Sequence, residues 1–233
     1  MFFIYHLANF SFLLLDTITQ QKGVQMKRVQ YWARVLDQWP LWLAFSVVTL
    51  VWGFFYLVSN HVNLLGKVPQ TLFIDLDRSV PFVDWTLVVY LSVFIQLPMG
   101  MWWLMTKQRG ATVVVGSLIT IIHFIFFVVY PTILPRIGLE PTNAFWIWAY
   151  NLQWSTDNPV NCFPSLHVGA VALLSFCAWR ENKRIGIIFT IWSLAVATST
   201  LTTKQHYIVD LAGGYVSAAL IYYFLYRKIR RPI

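Results

Sequence analysis

The segment TKQHYIVD places His206 and Asp210 four residues apart. On a helix that spacing puts both on one face, where the carboxylate can accept an imidazole N–H, fix the tautomer and leave the other ring nitrogen as base, nucleophile or ligand. A second segment, NCFPSLHVGA, sets Ser165 and His167 where an apolar run begins. Helix starts favour anions through free N–H groups and the helix dipole. Taken singly, each has a plain structural reading: a His–Asp pair can simply pack a helix start, and a serine there is most often a cap. With Arg136 and Lys204 added, the set holds fixed cations, a hydroxyl, helix N-termini and two histidines, one of them oriented by a carboxylate. That combination suits a phosphate group better than a metal. Four-coordinate zinc wants a further His, Cys or acid, and the nearest thiol, Cys162, has no partner at ligand spacing. No metal and no cofactor are expected.

The elements that must carry these groups are membrane helices. The 233 residues are 58% hydrophobic, 18% aromatic and 11% charged, with a mean hydropathy of +0.61, too apolar for a soluble domain. Six segments have the length and apolarity of a crossing: 41–59, 85–105, 111–130, 164–179, 185–201 and 207–226, the fourth being short. The expected fold is an all-α integral membrane bundle of six transmembrane helices over residues 41–226, with a leader and cytoplasmic segment at 1–40 and a basic tail at 227–233. The apolar stretch 2–15 lacks the basic flank of a signal peptide and is expected to be an interfacial leader, with Met26 a candidate first residue.

Orientation follows from charge. With the N-terminus inside, thirteen of the seventeen Lys and Arg fall in inner segments, and only Lys67, Arg78, Arg136 and Lys204 fall outside. This bias sets topology, so both termini are expected in the cytoplasm and the formal charge of +8 needs no nucleic-acid partner. Cys162 and Cys177, on or beside one helix, stand roughly 20 Å apart and cannot bridge.

The same count puts Arg136, His167, Lys204, His206 and Asp210 together at the outer membrane face, and ionisable groups gathered there are a functional-site hypothesis by default. The outer segment 134–163 carries AFWIWAYNLQW, expected as a short helix at headgroup level. Asp77 and Arg78, in IDLDRSVPF, read best as a solvated pair. His123, about two turns below the cluster, reads as a buried, hydrogen-bonded histidine, and His6 and His61 lack partners at helical spacing.

PSLH, together with Ser199, Thr200, His206 and Asp210 spaced S-T-x5-H-x3-D, resembles the second and third signatures of the type 2 phosphatidic acid phosphatase superfamily of membrane enzymes. The resemblance covers the six-helix core. It implies that His206 is the nucleophile that takes the phosphoryl group, that Asp210 orients it, that His167 protonates the leaving group, and that Ser165 binds phosphate. Arg136 in PTILPR matches the arginine of the first signature, but Val129 stands at its lysine position and Ile137 at its proline. Thr200 replaces the arginine of the third signature, and Lys204 stands two residues before His206. Such variants resemble the branch containing sphingomyelin and inositol phosphorylceramide synthases, which pass a phospho-headgroup to an alcohol. Two outcomes are carried forward on that basis. One is metal-independent hydrolysis of a lipid phosphate or diphosphate on the extracytoplasmic side of the cell (inner) membrane; the other is headgroup transfer. A proton or ion transporter is the reading from another class. It expects ionisable groups to continue through the bilayer, and below the cluster the sequence offers only His123.

Overall fold

In the computed structural model, which describes residues 24–61, 65–136 and 138–230, helices occupy all six apolar segments. Residues 24–36 form helix α1. After Pro40 follow α2 (Leu41–His61), the short α3 (Leu87–Leu91), α4 (Val93–Val129), α5 (Ala144–Thr156), α6 (Leu166–Glu181), α7 (Lys183–Thr202) and α8 (Ile208–Ile221). A π-helical turn, Tyr222–Tyr226, and a last turn, Arg227–Ile229, extend α8. Among the described residues there is no strand; two isolated bridges, Gln70 to Thr132 and Ile133 to Val160, tie the loops on the α6 N-terminal side together. The aromatic segment AFWIWAYNLQW is helical as expected: it forms α5, whose cap Asn143 accepts from the N–H groups of Phe145 and Trp146. The expected leader at 2–15 and the last three residues of the tail lie outside the described residues.

Four helical runs are long and apolar enough to cross a membrane: Leu41–Asn60, Asp84–Val129, Lys183–Thr202 and Ile208–Ile229. The second, at 46 residues, is about twice a crossing length and is not straight. Gln108 has non-helical φ −140° and ψ 62°. On a straight helix Tyr90 and Phe127 would stand about 55 Å apart, yet both line one pocket. The run therefore folds back at Gln108 into two limbs. Its sequence expectation, two separate helices divided near residues 106–110, corresponds to this single-residue break.

Polar contacts hold the reversal. Gln108 Nε2 donates to Glu181 Oε2 at 3.2 Å, Arg109 donates to the carbonyls of Asp37 and Trp39, and the Gly110 N–H donates to Asp37 Oδ1 at 2.8 Å. Glu181 also accepts from Tyr226 Oη at 3.0 Å and faces Arg230 at 3.8 Å, so the ends of α1, α6 and α8 meet at the break in α4.

Helix α6 runs through the centre. It has 16 residues, fewer than the about 20 of a perpendicular crossing. Buried positions surround it, as befits a helix enclosed by others. Asn182 ends α6 and caps α7, accepting from the N–H groups of Arg184 and Ile185. Helix α7 doubles back along α6, where the Ser175 and Ser193 hydroxyls meet at 2.7 Å.

A methyl group on Gly110 would sit 1.8 Å from the Ala33 carbonyl oxygen, whereas nothing lies within 4 Å of a methyl on Gly53. Gly110→Ala is expected to cost at least the ~1–3 kcal/mol typical of overpacking, read as a lower Tm and lower folded yield in detergent. Gly53→Ala should lower neither.

Candidate active site

The site is built where α6 and α8 begin. The two helices approach closely because glycines face each other: a methyl on Gly214 would come within 2.7 Å of the Ser165 carbonyl oxygen and 3.0 Å of the Gly169 nitrogen. At this approach the Ser165 N–H donates to the Asp210 carbonyl at 3.0 Å. His167, in the first turn of α6, is thereby brought beside His206, with ring centroids 6.0 Å apart. His206 arrives from the other side on a tight turn after α7. Lys204 takes a left-handed φ of 54°, and the N–H groups of Gln205 and His206 both donate to the Thr200 carbonyl.

His206 Nδ1 lies 3.4 Å from Asp210 Oδ2. The contact sets the ring beside the carboxylate without aligning the ring nitrogen for a hydrogen bond, and Nδ1 has no hydrogen-bond partner among the described residues. Asp210 is wholly buried; its Oδ2 accepts the Tyr207 N–H at 2.8 Å, and Oδ1 has no partner. His167 Nε2 is likewise buried without a partner. The two histidines that carry such orphaned nitrogens line one small pocket of about 40 Å³ together with Arg136 and Lys204, with Asp210 behind the His206 ring. Unmet buried polar groups are costly, so their convergence points to a polar ligand.

The expected cations are both present, in different settings. Arg136 donates to Gln205 Oε1 at 3.1 Å, lies over the Trp154 ring at 5.8 Å, and faces Asp157 at 3.9 Å. Burial pulls its pKa down, and Asp157 is the first group to oppose that shift. Lys204 sits at the rim, with Nζ donating to the Val80 carbonyl. Its pKa is also drawn down by burial and held up by Asp77. The Ser165 hydroxyl, expected on the phosphate, does not line the pocket. It is wholly buried and accepts the Val168 N–H at 3.3 Å, capping α6. Thr200, at the arginine position of the third signature, turns its hydroxyl back to the Ala197 carbonyl and offers the site only its backbone.

Other expectations change with the tertiary structure. Asp77 is buried rather than solvated, accepting the N–H groups of Ile74 and Ile208 at 2.9 Å each, while Arg78 stays exposed and pairs with Asp75 at 3.5 Å. His123 is buried and bonded as expected, with ring nitrogens 2.7 Å from the Ile119 carbonyl and 3.3 Å from Ser217 Oγ. His6 and the side chain of His61 lie outside the described residues. Cys162, which has no partner at ligand spacing along the chain, comes within 4.8 Å of ligand atoms of His206 and Asp210. Burial first, and then Asp210, push its thiol well above the usual range. The thiolate is the metal-binding form, so to hold a metal ion this trio would first have to lose the thiol proton.

Sequence reasoning missed Asp157, Gln205 and Tyr56. Asp157 Oδ1 accepts from Tyr56 Oη at 2.5 Å and Asn60 Nδ2 at 3.4 Å, and its Oδ2 accepts from Gln153 Nε2 at 3.2 Å. The available signal was that a buried arginine needs a counter-charge and that few outer acids could supply one.

The family model described as the PAP2 superfamily matches residues 64–224 of the chain. Comparisons with curated proteins and with solved structures gave no match.

Asp77 pins the first turn of α8 two residues beyond His206. Asp77→Ala, which orphans two N–H groups, is expected to cost about 1–3 kcal/mol in thermal unfolding. Arg78→Ala, on the exposed neighbour, should leave the transition unchanged.

Proposed function

Since the chain belongs to the PAP2 superfamily, whose members are phosphatases or phosphotransferases, we propose that it hydrolyses a lipid phosphate or diphosphate at the outer leaflet through a phospho-histidine intermediate. The observation that carries this reading is the buried pair His167 and His206, 6.0 Å apart, with a carboxylate behind one ring and Arg136 lining the same pocket.

With Nδ1 turned to Asp210, His206 presents Nε2 to phosphorus. A P–N bond forms as the P–O bond to the lipid breaks, and His167 gives its proton to the departing oxygen. Asp210 stabilises the imidazolium that results. Arg136 and Lys204 balance charge on the equatorial oxygens. His167 then takes a proton from water as the water oxygen attacks phosphorus, the P–N bond breaks, and phosphate leaves. No step needs a metal, because fixed cations supply the charge. Ser165 contributes as the cap that sets the first turn of α6.

Headgroup transfer to an alcohol is the second reading, and one feature favours it. His206 and Lys204 also line a neighbouring space of about 180 Å³ with Asp77 and Tyr207, room for an acceptor beside the phosphoryl pocket. A transporter relay fits less well: His123 is already bonded at both ring nitrogens. The charge bias supports a site on the outer side with both termini in the cytoplasm, and on this reading the membrane domain spans 41–226 and the basic tail 227–233. The α4 reversal and the enclosed α6 support six crossings.

Detergent-purified protein should release phosphate from a lipid-phosphate panel equally well with and without EDTA, and adding alcohol acceptors separates hydrolysis from transfer. His206→Ala and Asp210→Asn should abolish turnover, and His167→Ala should lower it by about 10²–10⁴. Undiminished activity in the His206 variant overturns the assignment. For sidedness, Cys162 and Cys177 are buried, so a cysteine replacing Glu140 should be labelled by an impermeant reagent from outside intact cells; labelling only after lysis would invert the topology.

A further inference from the structure

Below the polar pocket lies an apolar cavity of about 400 Å³, walled by α2, both limbs of α4 and α6. Its hydroxyls are spoken for: Thr49, Thr112 and Thr120 each donate to the carbonyl four residues earlier. The wall therefore offers hydrocarbon, a lining that suits an apolar occupant better than water. It starts at Ala170, one turn past His167, and reaches Cys177, about 10 Å further along α6 at 1.5 Å per residue.

Among the described residues, aromatic rings lie between this cavity and His167. Trp52 stacks on Tyr56 with centroids 5.2 Å apart, and Tyr56 in turn lies 6.3 Å from His167. Phe94 stands 6.3 Å from both Trp52 and His167. Trp52 and Phe94 face the cavity, and Tyr56 faces the polar pocket. Within this layer the Trp52 indole N–H is shielded from solvent and has no acceptor among the described residues. Buried indole N–H groups usually find a partner.

We propose that this cavity receives one hydrocarbon chain of an acyl-lipid substrate, with the Trp52 N–H donating to the ester or amide carbonyl that joins the chain to the phosphate-bearing end. The proposal rests on the polar pocket being the phosphoryl site and names the class of lipid that site serves. A chain hanging from a phosphate between His167 and His206 meets the ring layer first, then hydrocarbon. An acyl lipid carries a carbonyl at the boundary between those environments, whereas an isoprenoid phosphate has none and would leave the indole unmatched.

The test uses purified full-length protein and lipid phosphates graded from short to long acyl chains, beside alkyl and isoprenoid phosphates. Ala170→Leu fills the top of the cavity and should raise KM at every chain length with kcat little changed. Met101→Trp, deeper on α4, should raise KM for long chains alone. Trp52→Phe keeps the ring and removes the donor; it should raise KM about tenfold for acyl phosphates, the equivalent of about 1.4 kcal/mol, and leave alkyl and isoprenoid phosphates unaffected. Unaltered chain-length profiles in both filling variants, or an equal Trp52→Phe effect on all lipids, overturn the proposal. Thermal stabilisation by the same lipids reports binding without turnover. Chain-length-dependent stabilisation that Ala170→Leu removes upholds the cavity even if no lipid is hydrolysed, an outcome that would sink the phosphoryl reading alone. Melting each variant without lipid confirms its fold.

Discussion

The contact that the rest of the site depends on is the one between the starts of α6 and α8, where the Ser165 N–H meets the Asp210 carbonyl across facing glycines. A side chain at Gly214 would push against backbone on α6, and backbone has nowhere inexpensive to go. Because the two helices touch at this level, the histidine one turn into α6 and the histidine just ahead of α8 share a pocket. Four residues separate His206 from Asp210 along the chain, but it is the α6 contact that adds the second imidazole.

The two ends of the molecule do different physical work. At the end away from the histidines, Glu181 collects Gln108, Tyr226 and Arg230, so a break in α4 that would leave helix ends unsatisfied is instead tied into α6 and the extension of α8. That reversal sets the two α4 limbs beside α2 and α6, and the apolar cavity is what their side chains leave between them. At the histidine end, polar groups in the pocket stay partly unmatched, which is the arrangement a binding site needs and a structural core avoids. Asp157 moderates that end by sitting against Arg136, keeping a buried guanidinium charged and in place.

Much of this was legible in the sequence because membrane insertion writes its rules in composition. A crossing demands a long apolar run, and inner loops gather Lys and Arg, so helix positions and a candidate face follow from counting. His206 and Asp210 were legible as a pair because helical periodicity alone relates them, and helix starts made Ser165 and His167 conspicuous. Where local rules were silent, expectation and structure part company. Ser165 spends its hydroxyl on its own helix, Asp77 leaves the solvent to hold the N–H of Ile208, and Cys162 gains neighbours that no spacing along the chain suggests.

The sequence by itself determined the helical membrane character, the signatures around His167 and His206, and the excess of positive charge on one set of loops, since each depends on residues near one another in the chain. Only the tertiary structure decided that His167 and His206 face each other, that Arg136 is countered by Asp157, that Asp84–Val129 folds back at Gln108, and that an apolar cavity with an unmatched Trp52 N–H lies beneath. Those facts join residues far apart in the chain, and their distances are set by how helices pack, which no local pattern of residues encodes.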